Sequence, residues 1–184
     1  MRYKTFLLIL TLPLYLIAKD PLSNHDDIEN LWLNIGFGNS SLHSAFGMDL
    51  NVQFDRPLVF QLGYINTDSE MNRDFMGNES SESADALSFA LGIWKEKSPL
   101  SLALLTGISR VYGYRKGEYS PGNGGVFSFS GEYEKDNFST WGILANVQLF
   151  VKPVRCFGVG VEYYQSWNSE WSFNSVLFSI QVGP

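Results

Sequence analysis

The chain has 184 residues, of which 45% are apolar, 15% are aromatic and only 17% are charged, and its formal net charge is −6. This aromatic content excludes a disordered chain, and the acidic balance argues against a partner made of nucleic acid. A single cysteine excludes a disulfide scaffold, and together with only two histidines it leaves too few ligands for a zinc site. We therefore expect neither a metal site nor a cofactor.

The N-terminal segment has the pattern of an export signal. Arg2 and Lys4 precede an apolar run from Phe6 to Ile17, and the small Ala18 is followed by a polar stretch. The run is shorter than the roughly 20 residues that a membrane-spanning helix needs. The pattern predicts a cleaved signal peptide over residues 1–18 and a polar periplasmic lead-in over residues 19–30.

From Leu31 onward apolar side chains recur at every second residue, which is the period of a β-strand. Eight segments have this alternation, each near the 9–11 residues that a tilted membrane strand requires. The predicted strands are 31–38, 46–54, 58–65, 87–94, 100–109, 141–151, 157–164 and 175–182. They predict an all-β barrel of eight antiparallel strands over residues 31–184.

The connections between these segments alternate in length. Three are short and contain proline, namely 55–57, 95–99 and 152–155, whereas those over 39–44, 66–85, 113–137 and 166–172 are longer. Proline suits a turn because it donates no backbone hydrogen bond. Short turns at one end and long loops at the other are typical of an up-and-down outer-membrane barrel whose turns face the periplasm.

The two faces of the predicted strands differ in a way that orients the barrel. One face is bulky and apolar, while the other is mostly Gly, Ala, Ser, Asn and Gln, with Asp49 and Glu162 as its only charges. All nine of the glycines assigned to a strand face fall on this second face, where the narrow lumen of an eight-stranded barrel needs small residues. We therefore expect the apolar face to point outward into lipid.

With these features the chain resembles the small outer-membrane β-barrel superfamily, which includes OmpA transmembrane domains and OmpX-like proteins. The resemblance covers Leu31 to Val182, and no motif selects a subfamily. It implies a location in a bacterial outer membrane, with lipid and lipopolysaccharide as partners. Aromatic residues near the long-loop end are expected to form an interfacial girdle; they are Phe37, Phe46, Tyr64, Tyr112, Trp141 and Tyr163.

Two groups of lumen residues are singled out. Near the periplasmic end, the lumen is expected to be plugged by Trp32, Trp94 and Phe150. Because this plug would close the lumen to bulk water, we expect no general porin activity. Asp49 and Glu162 are buried carboxyl groups that need partners. Arg110 is the candidate for their network, on condition that a bulge at Gly107 turns it inward, because strict alternation places it outside.

The long loops and His43 separate the function hypotheses. Loop 66–85 carries six acidic residues and one arginine, and loop 113–137 is rich in aromatic residues, which favours a non-enzymatic surface protein with an envelope role or adhesin-like binding to a host or surface macromolecule. His43, expected in the first outer loop, is the weak catalytic candidate for an alternative, a lipid A-modifying acyl hydrolase or transferase. A further alternative is a narrow OmpW-like channel for small apolar molecules.

Cys156 is expected to be a buried free thiol.

Overall fold

A computed structural model of the protein describes residues 30–41, 43–54, 57–68, 82–121, 131–154 and 156–183. Eight antiparallel strands follow one another in these ranges, and the eighth closes the sheet against the first. No helix in the described residues is long and apolar enough to cross a membrane. The predicted eight-stranded up-and-down barrel is confirmed. Its strands are β1 (Asn30–Ser40), β2 (His43–Gln53), β3 (Leu58–Asp68), β4 (Ser83–Lys97), β5 (Leu100–Pro121), β6 (Gly131–Val154), β7 (Phe157–Asn168) and β8 (Phe173–Val182).

The register of the strands fixes the width of the barrel. Paired residues followed from Asn30 around all eight strands lead back to β1 at Ser40, ten residues further along. With strands about 4.7 Å apart and a rise of about 3.3 Å per residue, this stagger tilts the strands by about 40° and gives a radius of about 8 Å. Such an interior has room for side chains and little else.

The outer surface of the barrel is apolar and the inner surface is not. Phe178 is 72% exposed and Phe37 64% exposed, while the polar side chains of the alternate positions, such as Gln61 and Asn146, are buried. The predicted lumen glycines alternate with the exposed residues and therefore lie inside. The predicted assignment of the two faces is confirmed, because each strand keeps its period of two through the barrel wall.

Several predicted boundaries move. Asn30, expected in the lead-in, begins β1 and pairs with Gln53, and His43 begins β2, paired with Ser40, rather than lying in a loop. Strands β5 and β6 have 22 and 24 residues, so most of the predicted loop 113–137 is hairpin. The predicted signal peptide lies outside the described residues, as does the lead-in before Asn30.

The prediction that Cys156 is a buried thiol is wrong. It lies in the short turn between β6 and β7, and its side chain is exposed rather than buried. β7 begins only at Phe157, so Cys156 precedes the strand and the alternation of inward and outward side chains does not apply to it.

Candidate functional site

Aromatic side chains fill the lumen at the end of the barrel with the short turns, which is named the periplasmic end after its predicted orientation. The rings of Trp32 and Trp94 have centroids 5.0 Å apart, and both residues are buried, as is Phe150. The three residues belong to β1, β4 and β6, and the stagger of the strands brings them to the same level above the periplasmic rim. The structure thus brings the three predicted plug residues together in one layer.

A lysine beneath this aromatic layer was not singled out from the sequence. Lys152 Nζ lies 5.2 Å from the centroid of the Trp94 ring and 3.3 Å from Glu96 Oε2. The side chain of Lys152 is only 7% exposed, because its methylene stem passes along the lumen mouth. Alternation along β6 could have revealed it, since Lys152 is two residues after Phe150 and so shares its face.

Above the aromatic layer the lumen is crossed by amide side chains. Asn146 Nδ2 donates to Gln61 Oε1 at 3.2 Å, and Gln61 Nε2 donates to Asn51 Oδ1 at 3.2 Å. On the other side Asn34 Nδ2 donates to Gln148 Oε1 at 3.1 Å. The first and the third of these hydrogen bonds join strands that are not neighbours in the sheet, β6 with β3 and β1 with β6, so they connect opposite parts of the wall across the lumen.

The two predicted lumen carboxyl groups lie within this polar layer. Asp49 is 7% exposed and Glu162 is 2% exposed, and their carboxyl groups adjoin each other although they come from β2 and β7. Gln148 Nε2 donates to Glu162 Oε2 at 3.2 Å, and the side chain of Asn146 adjoins both carboxyl groups. The carboxyl pair is therefore surrounded by neutral polar groups.

Arg110 does not belong to this layer, so the predicted three-residue network is wrong in that member. Its guanidinium carbon lies 5.1 Å from the ring centroid of Trp141 and 5.5 Å from that of Tyr112, both outward-facing residues. The pairing of β5 with β6 runs without a shift from Leu100 to Lys116, so Gly107 makes no bulge. Strict alternation therefore keeps Arg110 on the outer face.

A second apolar layer closes the lumen near its outer end, and it was not predicted from the sequence. The rings of Tyr164 and Phe173 stack with centroids 5.9 Å apart, and both residues are at most 4% exposed. Alternation along each strand contained the signal, but only the register shows that these residues share a level. The layer is completed by the buried side chains Ile65, Val111, Leu144 and Leu177.

The base of the β5–β6 hairpin is braced against the link between β7 and β8. Arg115 forms ion pairs with Asp136 on β6 and with Glu170 in the link, each at 3.5 Å. Phe138 meets Trp171 edge-on, with ring centroids 6.0 Å apart. Within the link, Asn168 Oδ1 accepts hydrogen bonds from the backbone N–H groups of residues 170 and 171 at 3.0 and 2.7 Å. The hairpin therefore leaves the barrel from an ordered base.

Solved structures provide the comparison, since no protein-family model and no curated protein matches the chain. Ail, the attachment invasion locus protein of Yersinia pestis, aligns with a TM-score of 0.56 and 13% identity over 84% of this chain and 98% of its own. The N-terminal β-barrel domain of Pseudomonas aeruginosa OprF aligns with a TM-score of 0.54 and 6% identity, over 84% and 97%. The fold is that of the small outer-membrane β-barrels. A crystal structure of Ail with the heparin analogue sucrose octasulfate also matches, with a TM-score of 0.54 and 10% identity over 84% of this chain and 98% of that one.

The predicted aromatic girdle lies on the outer face of this outer-membrane barrel fold, but in two tiers. Trp141 and Tyr112 lie about 10 Å further from the periplasmic rim than the other four, by the tilt and rise of the strands. In the lower tier the rings of Phe37 and Phe46 are 5.0 Å apart, and Tyr64 donates from its hydroxyl to Asp85 Oδ1 at 2.8 Å. A single interfacial ring was expected because the position of a residue in its strand does not give its height along the barrel axis, which also depends on the stagger between strands.

Proposed function

We propose that the protein is a non-enzymatic, integral outer-membrane surface protein that binds a macromolecule outside the cell through its outer hairpin, residues 113–137. The observation that carries this proposal is the length of the hairpin strands. β5 and β6 have 22 and 24 residues, whereas the other strands have 10 to 15. Pairing of β5 with β4 ends at Tyr114, so the seven residues from there to Pro121 extend about 23 Å along the strand direction past the barrel wall.

The hairpin is suited to binding because the base of its described part, residues 113–121 and 131–137, is held in place before a partner arrives. Its base is held by the Arg115 ion pairs and by the contact of Phe138 with Trp171, so less conformational entropy is lost on association. A β-ribbon also presents backbone N–H and C=O groups at its edges, which an extended segment of a partner can pair with. The likeness to a protein named for attachment supports the same direction.

Charge indicates the class of partner. The outer hairpin has three basic and four acidic residues, and segment 66–85, which connects β3 and β4, has six acidic residues and one arginine. A polyanion such as heparin would be repelled by this outer surface. We therefore infer a protein partner whose binding surface is neutral or basic.

Shortening the hairpin tests the proposal. Replacing residues 117–134 with Asn-Gly would join Lys116 to Lys135, which already face each other in the register, through a two-residue turn. All pairing of β4 with β5 is kept, so the barrel should fold. Wild-type protein and the short-hairpin variant are each displayed on bacteria that do not otherwise adhere. We expect the variant to give at least about tenfold less attachment to protein-coated surfaces or cultured cells than the wild type, which corresponds to about 1.4 kcal/mol of binding free energy.

The control is the folded state of the variant. Both proteins should show the same heat-dependent gel mobility and the same amount in the outer membrane. Attachment by the short-hairpin variant at the wild-type level would contradict the proposal. Wild-type bacteria that do not attach at all, but whose lipid A mass spectrum changes when the protein is present, would instead support the acyl hydrolase or transferase alternative.

The outer-membrane location and orientation are part of the proposal. The apolar outer face would contact acyl chains, and Arg110, at its upper border between Tyr112 and Trp141, would meet lipid or lipopolysaccharide phosphates. The short turns, including the one with Cys156, would then face the periplasm.

The single cysteine provides a test of this orientation without any mutation. We expect Cys156 to remain unlabelled on intact cells by a maleimide attached to a polyethylene glycol chain too large for porins, and to be labelled once the outer membrane is permeabilised, because its side chain is exposed in the turn. A Cys156→Ser variant gives the background signal. If intact cells are labelled as strongly as permeabilised cells, the short turns face the outside of the cell and the proposed orientation is wrong.

A further inference from the structure

The apolar outer face of the barrel carries a groove in its periplasmic half. The groove has a volume of about 450 Å³, which is within the range of sites that hold small molecules. It crosses the outward-facing surface of β2, β3 and β4, and the side chains along it are apolar. They are Leu50, Val52, Phe54, Phe60, Leu62 and Phe89.

The register and the sizes of the side chains explain this groove. Its upper wall is one row of paired residues across the three strands, namely Leu50, Leu62 and Phe89. Nearer the periplasmic rim, Val52 is the smallest of the lining residues and lies opposite Phe60. At the lower end the ring of Phe54 meets that of Phe60 edge-on, with centroids 5.2 Å apart. The groove therefore extends about 13 Å along the strand direction, with its floor at Val52.

Below the groove the outer face of β4 ends in two lysines. Lys95 and Lys97 continue the outward positions of this strand after Ile93, and both are exposed. In the register, Lys95 lies two strands from Phe54 and two residues nearer the periplasmic rim, so their Cα atoms are about 12 Å apart. A lysine side chain can cover much of that distance. The groove thus has an apolar body and a cationic lower end.

The positive charge at this end is not balanced by acids of the described residues. Neither Lys95 nor Lys97 belongs to an ion pair in the described part of the chain. Glu96, which lies between them in the chain, pairs with Lys152 at the lumen mouth. Residues 55–57 contribute one acidic and one basic residue, so they add no net charge. An anionic group would therefore be attracted to the lower end of the groove.

We propose that the groove binds an acyl chain of an anionic glycerophospholipid, whose phosphate headgroup is held at the periplasmic rim by Lys95 and Lys97. The outer face continues above the groove with apolar residues such as Leu87, so only the lower end suits a charged headgroup. That the site faces the inner leaflet rests on the proposed orientation of the barrel, whereas binding itself does not.

A second copy of the chain fits this groove less well than a lipid does. Two copies in one membrane that are related by a two-fold axis use the same surface patch at the same height. Lys95 and Lys97 of both copies would then meet at the rim and repel each other. An anionic lipid has the opposite charge at that level, so charge complementarity favours the lipid.

Retention of lipid by the purified barrel tests the headgroup contact. The full chain is refolded into detergent with phosphatidylglycerol or with phosphatidylethanolamine of the same acyl chains, and native mass spectrometry measures the lipid that stays bound. We expect the wild type to retain about tenfold more phosphatidylglycerol than phosphatidylethanolamine, and the Lys95→Gln/Lys97→Gln variant to lose this preference. The matched control, Lys95→Arg/Lys97→Arg, keeps both charges and should retain phosphatidylglycerol like the wild type.

Filling the groove tests the acyl-chain contact. Val52→Phe places a ring on the floor of the groove, and we expect it to lower retention of phosphatidylglycerol about as much as loss of both lysines does. Val159→Phe is the matched control, because Val159 lies on the outer face of β7 and is 45% exposed. It has about the same height above the rim, by the tilt and rise of the strands, and its substitution should leave retention unchanged.

Photochemical crosslinking locates the bound chain. A phosphatidylglycerol with a diazirine in one acyl chain should label peptides from residues 50–62 in the wild type and in Val159→Phe, and label them much less in Val52→Phe. Crosslinks spread evenly around the wall would overturn the proposal, as would equal retention by Val52→Phe and Val159→Phe. Equal retention of the two lipids by the wild type would refute the headgroup contact.

Two further outcomes separate this proposal from its alternatives. A dimer mass that is present in the wild type and absent in Val52→Phe would show that a second copy fills the groove instead. If Val52→Phe does not fold, the lysine variants decide the question, because they leave every lining side chain in place. Labelling of Cys156 on intact cells would refute the proposed orientation without changing retention in detergent, so the two failures are distinguishable.

Discussion

Replacing Trp94 with alanine is expected to lower the free energy of unfolding of the barrel by about 3–5 kcal/mol, the usual cost of removing a buried tryptophan. The Trp94 side chain fills the lumen at the periplasmic end, where it contacts the Trp32 ring and faces the Lys152 ammonium group that lies beneath it. The strands around it are fixed by their register, so the wall cannot close over the cavity that is left. Urea-induced unfolding of the refolded protein in detergent or lipid vesicles measures the change.

Trp167 provides the matched control for this substitution. It is 51% exposed on the outer face, so Trp167→Ala makes no lumen cavity and should cost clearly less. A loss in Trp94→Ala no larger than in Trp167→Ala would contradict the role of the aromatic layer.

The same variant separates a structural plug from a gate. In planar bilayers we expect neither the wild type nor Trp94→Ala to give stable ion conductance, because the layer around Tyr164 and Phe173 still closes the outer end. Stable conductance of the wild type would favour a channel, whereas conductance gained by Trp94→Ala would show that the aromatic layer alone closes the lumen.

Replacing Gly107 with alanine is expected to destabilise the barrel by about 1–3 kcal/mol, the cost of overpacking. A Cβ atom at this position would clash with Phe89 O and lie 2.6 Å from Ala90 Cα, both in the backbone of β4. Backbone in a closed barrel cannot yield as a flexible side chain does, so β4 and β5 would have to separate locally. Urea unfolding and the yield of folded protein measure the effect.

Gly158→Ala is the control, because it makes the same change on the same face. Its Cβ would meet Gln181 Oε1 and Lys152 Cγ at 3.2 Å, and both belong to flexible side chains. We expect an effect between neutral and about 1 kcal/mol of stabilisation, since alanine reduces the entropy of the unfolded chain. Equal losses for Gly107→Ala and Gly158→Ala would show that a methyl group anywhere on this lumen face destabilises the barrel and that the clash with β4 is not the cause.

The sequence could predict features that depend on neighbouring residues of one strand. The inward direction of Trp32, Asp49 and Glu162 follows from the period of two, and so does the outward direction of Phe37. The condition placed on Arg110 shows the limit of this reasoning, because a bulge at Gly107 would have reversed its direction and the sequence does not exclude one. The structure shows uninterrupted pairing there, so simple alternation was the better guide.

By itself, the amino-acid sequence determined the number of strands, the face that each side chain occupies and the ends at which short turns and long connections lie, because these properties are set by local periodicity and turn chemistry. The tertiary structure decided which residues share a level. The ten-residue stagger brings Asp49 beside Glu162, 113 positions away, and Trp32 beside Trp94. Such contacts depend on how eight strands slide past one another when the sheet closes, and pairing energies summed over the whole ring fix that register.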